Sequence, residues 1–260
     1  MKRIVADLRE EQDDLASIVE SIDDTIWLTP TPSEGWNVRD QIGHLAFFDE
    51  RAIEAIVDPA TFMAGVEAAT VDIERYMNSH LDQARTSSRS DLLTHWAGAR
   101  IALLEALADV DPAARLPWYG PPMSAHSFAV ARLMETWAHG QDIVDALGVV
   151  RPATNRLQRI ALLGVKTMSW SFTVNGLPQP RTKVRVDLDG PHGEQWLWNE
   201  SESDSYVRGD ALDFCLVVTQ RRHLGDTALE VSGEAAEAWM PIAQAFAGPP
   251  GPGRPSGMFR

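Results

Sequence analysis

Through the first ~148 residues, apolar side chains recur at helical spacing and nowhere alternate as a strand would. Residues 3–28 carry Ile4, Leu8, Leu15, Ile18, Val19, Ile22 and Ile26 with acids between them, which predicts one long amphipathic helix. Two prolines and a glycine in residues 29–35 end it. Asn37 is placed as the N-cap of a second helix, with Asp40 at its third position, and Asp58-Pro59 stops that helix near Val57. A third helical region covers roughly 67–86, interrupted by Ser87-Ser88-Arg89-Ser90. A fourth, about 90–109, carries Leu92, Leu93, Trp96, Ala99, Leu103, Leu104 and Leu107. Residues 111–122 are loop by composition. A last long helix is expected over 124–147, with Gly148 as its C-cap. Four long helices suffice for a bundle, so residues 1–150 are expected to form one.

After Arg151-Pro152 the pattern changes. Residues 154–171 are still helical in spacing, and Asn175-Gly176-Leu177-Pro178 breaks them. Lys183-Val184-Arg185-Val186-Asp187-Leu188-Asp189 alternates polar and apolar, as a half-buried strand does. Asp189-Gly190 is a turn signal, and residues 194–199 form the hairpin partner. Further strands are expected over 205–208 and 228–233, and helices over 210–219 and 234–246. The fold class is therefore α+β, with a small α+β domain over 151–248. Residues 249–260, a Gly/Pro tail, are expected to be disordered.

The formal charge of −14 argues against nucleic acid and against an anionic membrane surface as partner. No apolar signal core or membrane-length run is present, so a cytoplasmic protein is expected. The single cysteine, Cys215, excludes an internal disulfide and a cysteine-based zinc site. It sits among Leu212, Phe214, Leu216 and Val217 and reads as an apolar filler rather than a nucleophile.

Within the last long helix of the first part, Glu135 and His139 stand four residues apart, on one face and one turn from each other. Together they can hold two corners of a divalent metal, and His44 is the best donor for a third. Two imidazoles, one carboxylate and one open position make a catalytic rather than a structural zinc arrangement. By spacing alone a surface ion pair is the commoner outcome for Glu-x-x-x-His. His80, His95, His126, His192 and His223 show no comparable ligand pattern.

Context raises the metal reading. Gly35-Trp36-Asn37-Val38-Arg39-Asp40, followed by His44-Leu45-Ala46 and by Glu135, His139, Asp142 and Gly148, resembles the mycothiol-dependent maleylpyruvate isomerase N-terminal family. That family is one of the wider DinB-like metal-binding four-helix bundles. The resemblance covers roughly residues 5–148. The second part is similar, less specifically, to the sterol-carrier-protein-like domain that follows the bundle in that isomerase. The resemblance implies His44, Glu135 and His139 as metal ligands, with zinc as the metal, although relatives take other divalent ions such as nickel. It also implies mycothiol as thiol cosubstrate. Asp40 and Asp142 are candidates to accept the outer ring N–H of a ligand histidine. Arg51, two turns from His44, and Arg132, one turn before Glu135, are candidates to hold an anionic group of a small-molecule substrate. Arg221 and Arg222 are weaker candidates for the same task.

The function expected on these grounds is a zinc-dependent enzyme that uses a low-molecular-weight thiol as isomerase or S-transferase. The alternatives are a non-catalytic module, binding metal or an apolar ligand near Trp170, Trp196 or Trp198, and a metal-dependent hydrolase with Asp40 or Glu50 as base. Bundles of this kind often pair, which makes a homodimer a further expectation.

Overall fold

The first amphipathic stretch forms α1 (Lys2–Ser21), which buries Ile4, Leu8, Leu15 and Val19. In this computed structural model, which describes residues 1–69, 73–200 and 204–259, α1 stops seven residues short of expectation. The reason is local. The Asp23 carboxylate accepts the backbone N–H groups of Thr25 and Ile26, at 2.8 and 3.0 Å. Those bonds start a separate 3₁₀ turn, Ile26–Leu28, that drops Trp27 into the core.

The second helix, α2 (Val38–Val57), begins at the expected capping box. Asn37 Oδ1 accepts the Asp40 N–H and Asp40 Oδ2 accepts the Asn37 N–H, both at 3.1 Å. The chain continues through α3 (Pro59–Ala69), α4 (Ile73–Thr86) and α5 (Arg89–Ala108). The third expected helical region thus falls across α3 and α4, and its residues 70–72 lie outside the described residues. Ser88 caps α5, accepting the Asp91 N–H at 3.1 Å. The segment expected as plain loop, residues 111–122, instead supplies β1 (Arg115–Leu116), which pairs antiparallel with β2 (Met123–Ser124) just beyond it. It leads into α6 (Ala125–Leu147), which Gly148 closes at φ 64°, a left-handed conformation that suits glycine.

Helices α1, α2, α5 and α6 make the bundle, with α4 laid against α2. Its core includes Leu15, Val19, Trp27, Ile42, Leu45, Leu92, Trp96 and Ile143. The α2–α4 approach depends on two small residues, because a Cβ at Gly43 would fall onto the Ala84 Cβ. Gly43→Ala is therefore expected to destabilise the bundle by about 1–3 kcal/mol and push α4 outward. A thermal melt measures the first effect, and loss of the His80–His44 proximity in a variant structure would show the second. An unchanged melting temperature would show that α4 yields without cost.

The chain divides into two compact units, Met1–Val150 and Arg151–Arg260. The second opens with α7 (Leu157–Lys166) and α8 (Met168–Val174), then β3 (Arg185–Asp189), β4 (Gln195–Trp198) and β5 (Tyr206–Asp210). After α9 (Ala211–Val218) come β6 (Glu230–Ser232) and α10 (Glu234–Trp239). The sheet order is β4-β3-β5-β6, with β3 and β5 parallel and both outer pairs antiparallel. Val186, Leu188 and Val207 are fully buried, the alternation that the sequence carries. This α+β arrangement, helical unit first and small sheet unit second, is the expected one. Segment 249–259 does not lack contacts: the Gly257 N–H reaches the Asp226 carboxylate at 2.7 Å, and the Arg222 guanidinium lies over the Phe259 ring. Among the described residues, no helix is long and apolar enough to cross a membrane.

Candidate metal centre

Two helices supply the donors. His44 stands on α2, two turns from its cap, and Glu135 and His139 stand one turn apart on α6. One donor atom of each lies within 4.8 Å of the other two, which makes this a group that could hold a metal ion. His139 Nε2 is 3.3 Å from Glu135 Oε2. Adjacent corners of a tetrahedral zinc site with N and O bonds near 2.0–2.1 Å are about 3.4 Å apart, so this edge already has the right length. The donor chemistry, two imidazoles and a carboxylate, fits a borderline-soft divalent ion.

Aromatic rings enclose the donors. The Trp36 indole stacks over His139 at 6.0 Å and 18°, and its centroid is 5.1 Å from His44. Phe48 packs 4.5 Å from His44 on the other side. Such walls limit water around the ligands and so strengthen any charge interaction there. Two polar neighbours were not anticipated. Gln41 Oε1 lies 2.6 Å from His139 Nδ1, and His80 Nε2 lies 3.3 Å from His44 Nδ1. His80, which approaches from α4, is not one of the three clustered donors. Neither residue had a sequence signal, because each partner comes from a different helix.

The remaining candidates take other places. Asp40 is fully buried, and both its oxygens are occupied. Arg85 Nε donates to Oδ1 at 3.0 Å, while Arg85 Nη2 and the Asn37 N–H donate to Oδ2. Asp40 thus braces the start of α2 to α4, and none of its hydrogen bonds reaches a histidine. Asp142 is buried and accepts the Ser33 hydroxyl at 3.1 Å, tying α6 to the loop before α2. Either aspartate was expected to accept the outer ring N–H of a ligand histidine; at His139 Nδ1 the acceptor is Gln41 Oε1.

Arg51 pairs with Glu54 at 2.8 Å and lies over Phe47, 5.5 Å from the ring centroid. Phe47 in turn stacks on His80, so Arg51 sits beyond the ring layer that surrounds the ligands. Arg132, expected as an anion anchor, is instead 3% exposed and donates from Nη2 to Asp49 Oδ1 at 2.8 Å. His95 pairs with Glu50 at 2.6 Å, which occupies the carboxylate considered as a base. Tyr119, hydroxyl to hydroxyl with Tyr76 at 2.9 Å, is pushed up well above an ordinary phenol, chiefly by burial, and stays protonated.

Cys215 is buried in the second unit, and burial holds its thiol well above the usual range. A thiol-specific chromogenic reagent is expected to leave it unmodified in the folded protein and to count one thiol in denaturant. Rapid reaction in the native state would overturn that reading.

A model of the mycothiol maleylpyruvate isomerase N-terminal domain matches residues 8–144, most of the bundle and all three donors. The chain belongs to this family. Two Mycobacterium tuberculosis proteins are each 47% identical to it over 250 residues. They are MT0041 of strain CDC 1551 / Oshkosh and Rv0036c of strain ATCC 25618 / H37Rv. Each match spans 96% of this chain and 97% of the relative. The crystal structure of the mycothiol-dependent maleylpyruvate isomerase has a similar fold, with a TM-score of 0.59 at 14% identity. It covers 89% of this chain and 92% of that one. A point mutant of the same isomerase matches with a TM-score of 0.58 at 14% identity, over 85% and 89% of the two chains.

Proposed function

We propose that this protein is a metal- and thiol-dependent enzyme, with zinc held by His44, Glu135 and His139 and mycothiol as the thiol. The observation that carries the reading is the donor cluster itself, three residues within 4.8 Å in a family named for a mycothiol-dependent isomerase. A bound zinc would supply Lewis acidity that favours the thiolate of a thiol brought to its open position. A thiol so activated would add to an electrophilic carbon of a small substrate. Departure of the thiol after bond rotation gives an isomerase, and retention of the adduct gives an S-transferase.

The chain's own residues have defined tasks in this reading. Glu135 and His139 hold two corners from one rigid helix, and His44 holds the third from its neighbour. Trp36 and Phe48 keep water from the ligands. Arg51, which pairs with Glu54, is the proposed anchor for an anionic substrate group at the edge of the ring layer. Asp142 is proposed to act indirectly, by holding α6 against the loop that carries Trp36. The thiol has to come from outside the protein, because the one cysteine is buried and its thiol is held protonated.

The test is cobalt substitution of metal-free protein, followed by visible absorption with and without mycothiol. A thiolate-to-cobalt charge-transfer band that appears on adding thiol supports the reading. Cobalt binding that ignores every thiol would exclude a thiol route at this centre, and no cobalt binding would exclude the centre.

A further inference from the structure

His139 can serve as a ligand through only one nitrogen, and a neutral imidazole offers a lone pair on whichever nitrogen lacks the proton. The tautomer therefore decides whether the donor cluster is usable. Three hydrogen bonds bear on it. His139 Nδ1 lies 2.6 Å from Gln41 Oε1, Gln41 Nε2 lies 2.9 Å from Thr31 Oγ1, and Thr31 Oγ1 lies 3.1 Å from the Trp36 carbonyl oxygen. A carbonyl only accepts, so the chain has a direction. The single Thr31 hydroxyl proton goes to the Trp36 carbonyl, and Thr31 Oγ1 then accepts from the Gln41 amide nitrogen. That leaves the Gln41 amide oxygen facing Nδ1, which must carry the proton.

Turning the amide over would face Gln41 Oε1 to Thr31 and require the same hydroxyl proton there. The contact from Thr31 to the Trp36 carbonyl would then lose its hydrogen. Gln41 is fully buried and His139 is 8% exposed, so water is poorly placed to replace a lost bond. The loop that ends the chain is itself braced. The Thr31 N–H donates to the same Trp36 carbonyl at 2.8 Å, and Pro30 pairs with Asn37 across the loop. Its Trp36 ring stacks on the face of His139 while its Thr31 hydroxyl, through Gln41, holds the ring's edge.

We infer that Gln41 and Thr31 are positioning residues that fix His139 as the Nδ1–H tautomer, so that Nε2, the nitrogen beside Glu135, is the one offered to the metal. The inference rests on the metal reading proposed above, but the tautomer can be read without metal.

The experiment uses the full-length protein labelled with ¹⁵N. Long-range ¹H–¹⁵N correlations, with His139 assigned by its disappearance in His139→Ala, are expected to show a protonated Nδ1 in the metal-free protein, whose Nε2 faces Glu135 at 3.3 Å, and a proton-free Nε2 once zinc is bound. In Gln41→Leu, which removes the acceptor, the two tautomers are expected to mix and cobalt affinity to fall about 10–100-fold. Gln41→Glu restores an acceptor and is expected to return both tautomer and affinity toward wild type. A merely structural role would not predict that rescue. Should Gln41→Leu fail to fold, Thr31→Val releases the amide instead and is expected to give the same mixing. A bare Nδ1 in the wild type, or an unmoved tautomer in a folded variant, would overturn the inference even if cobalt binds. Absence of cobalt binding in wild type with the expected tautomer would uphold the tautomer assignment and remove the metal reading alone.

Discussion

His139→Ala is expected to abolish equimolar zinc or cobalt binding while leaving the bundle folded. The donor cluster has three members, and catalytic zinc sites rely on three protein ligands. Removing His139 leaves only two donors, His44 and Glu135, on separate helices. It also removes the ring that Trp36 covers and that Gln41 orients. The fold survives because the core is built elsewhere, from Leu15, Val19, Ile42, Leu92 and their neighbours. The measurement is metal content by atomic emission after dialysis, beside far-ultraviolet circular dichroism. A second readout is thermal. Metal that binds only the folded state raises its melting temperature, by about 2.7 kcal/mol of stability at a hundredfold excess over Kd. That rise should be present in wild type and absent in His139→Ala and His44→Ala. A variant that keeps one metal per chain would remove His139 from the ligand set.

The largest stability effect is expected from Arg132→Met. Arg132 and Asp49 face each other between α6 and α2, with side chains 3% and 1% exposed. Breaking such a pair leaves an uncompensated buried charge, at a cost of about 3–5 kcal/mol. For a protein of this size that lowers the melting temperature by roughly 10 °C. Arg132→Met with Asp49→Leu should recover most of the loss, because two apolar groups carry no desolvation penalty. The single variant melting within a degree of wild type would show that the pair contributes little.

Asp49 also gives a pH dependence. Burial raises its carboxyl above the usual range, and the attraction of Arg132 offsets only part of that. A raised folded value means the folded state holds this proton more tightly than the unfolded chain. The associated stability is present below the unfolded carboxylate pKa and is lost as pH rises through the folded value. Asp49→Asn should remove that contribution to the slope, which urea melts at a series of pH values would measure.

Much of the local architecture was legible because it depends on neighbours in the chain. The capping box at Asn37 and Asp40, the left-handed Gly148 and the alternation of Val186 and Leu188 each follow from a few adjacent residues. The same holds for Glu135 and His139, which any α-helix brings to one face. Where a local competitor was overlooked, the boundary moved. Asp23 captured two backbone N–H groups and ended α1 early. The tail at 249–259 read as disordered from composition, yet Asp226 and Arg222 hold it, and no pattern in Gly and Pro announces such contacts.

The sequence by itself determined the helical unit, the small sheet unit and the i, i+4 donor pair, because periodicity and capping are governed by backbone geometry over one or two turns. His44 was offered by the sequence as a third donor, and the family resemblance implied it as a ligand. Only the tertiary structure decided what each polar side chain meets across a helix interface. Asp40 went to Arg85, Arg132 to Asp49, and the Nδ1 atoms of His139 and His44 to Gln41 and His80. Those pairings depend on how far apart the helices pack and how each is rotated, which Gly43 against Ala84 sets between α2 and α4. A buried polar group must find a partner, but its own sequence neighbours do not say which.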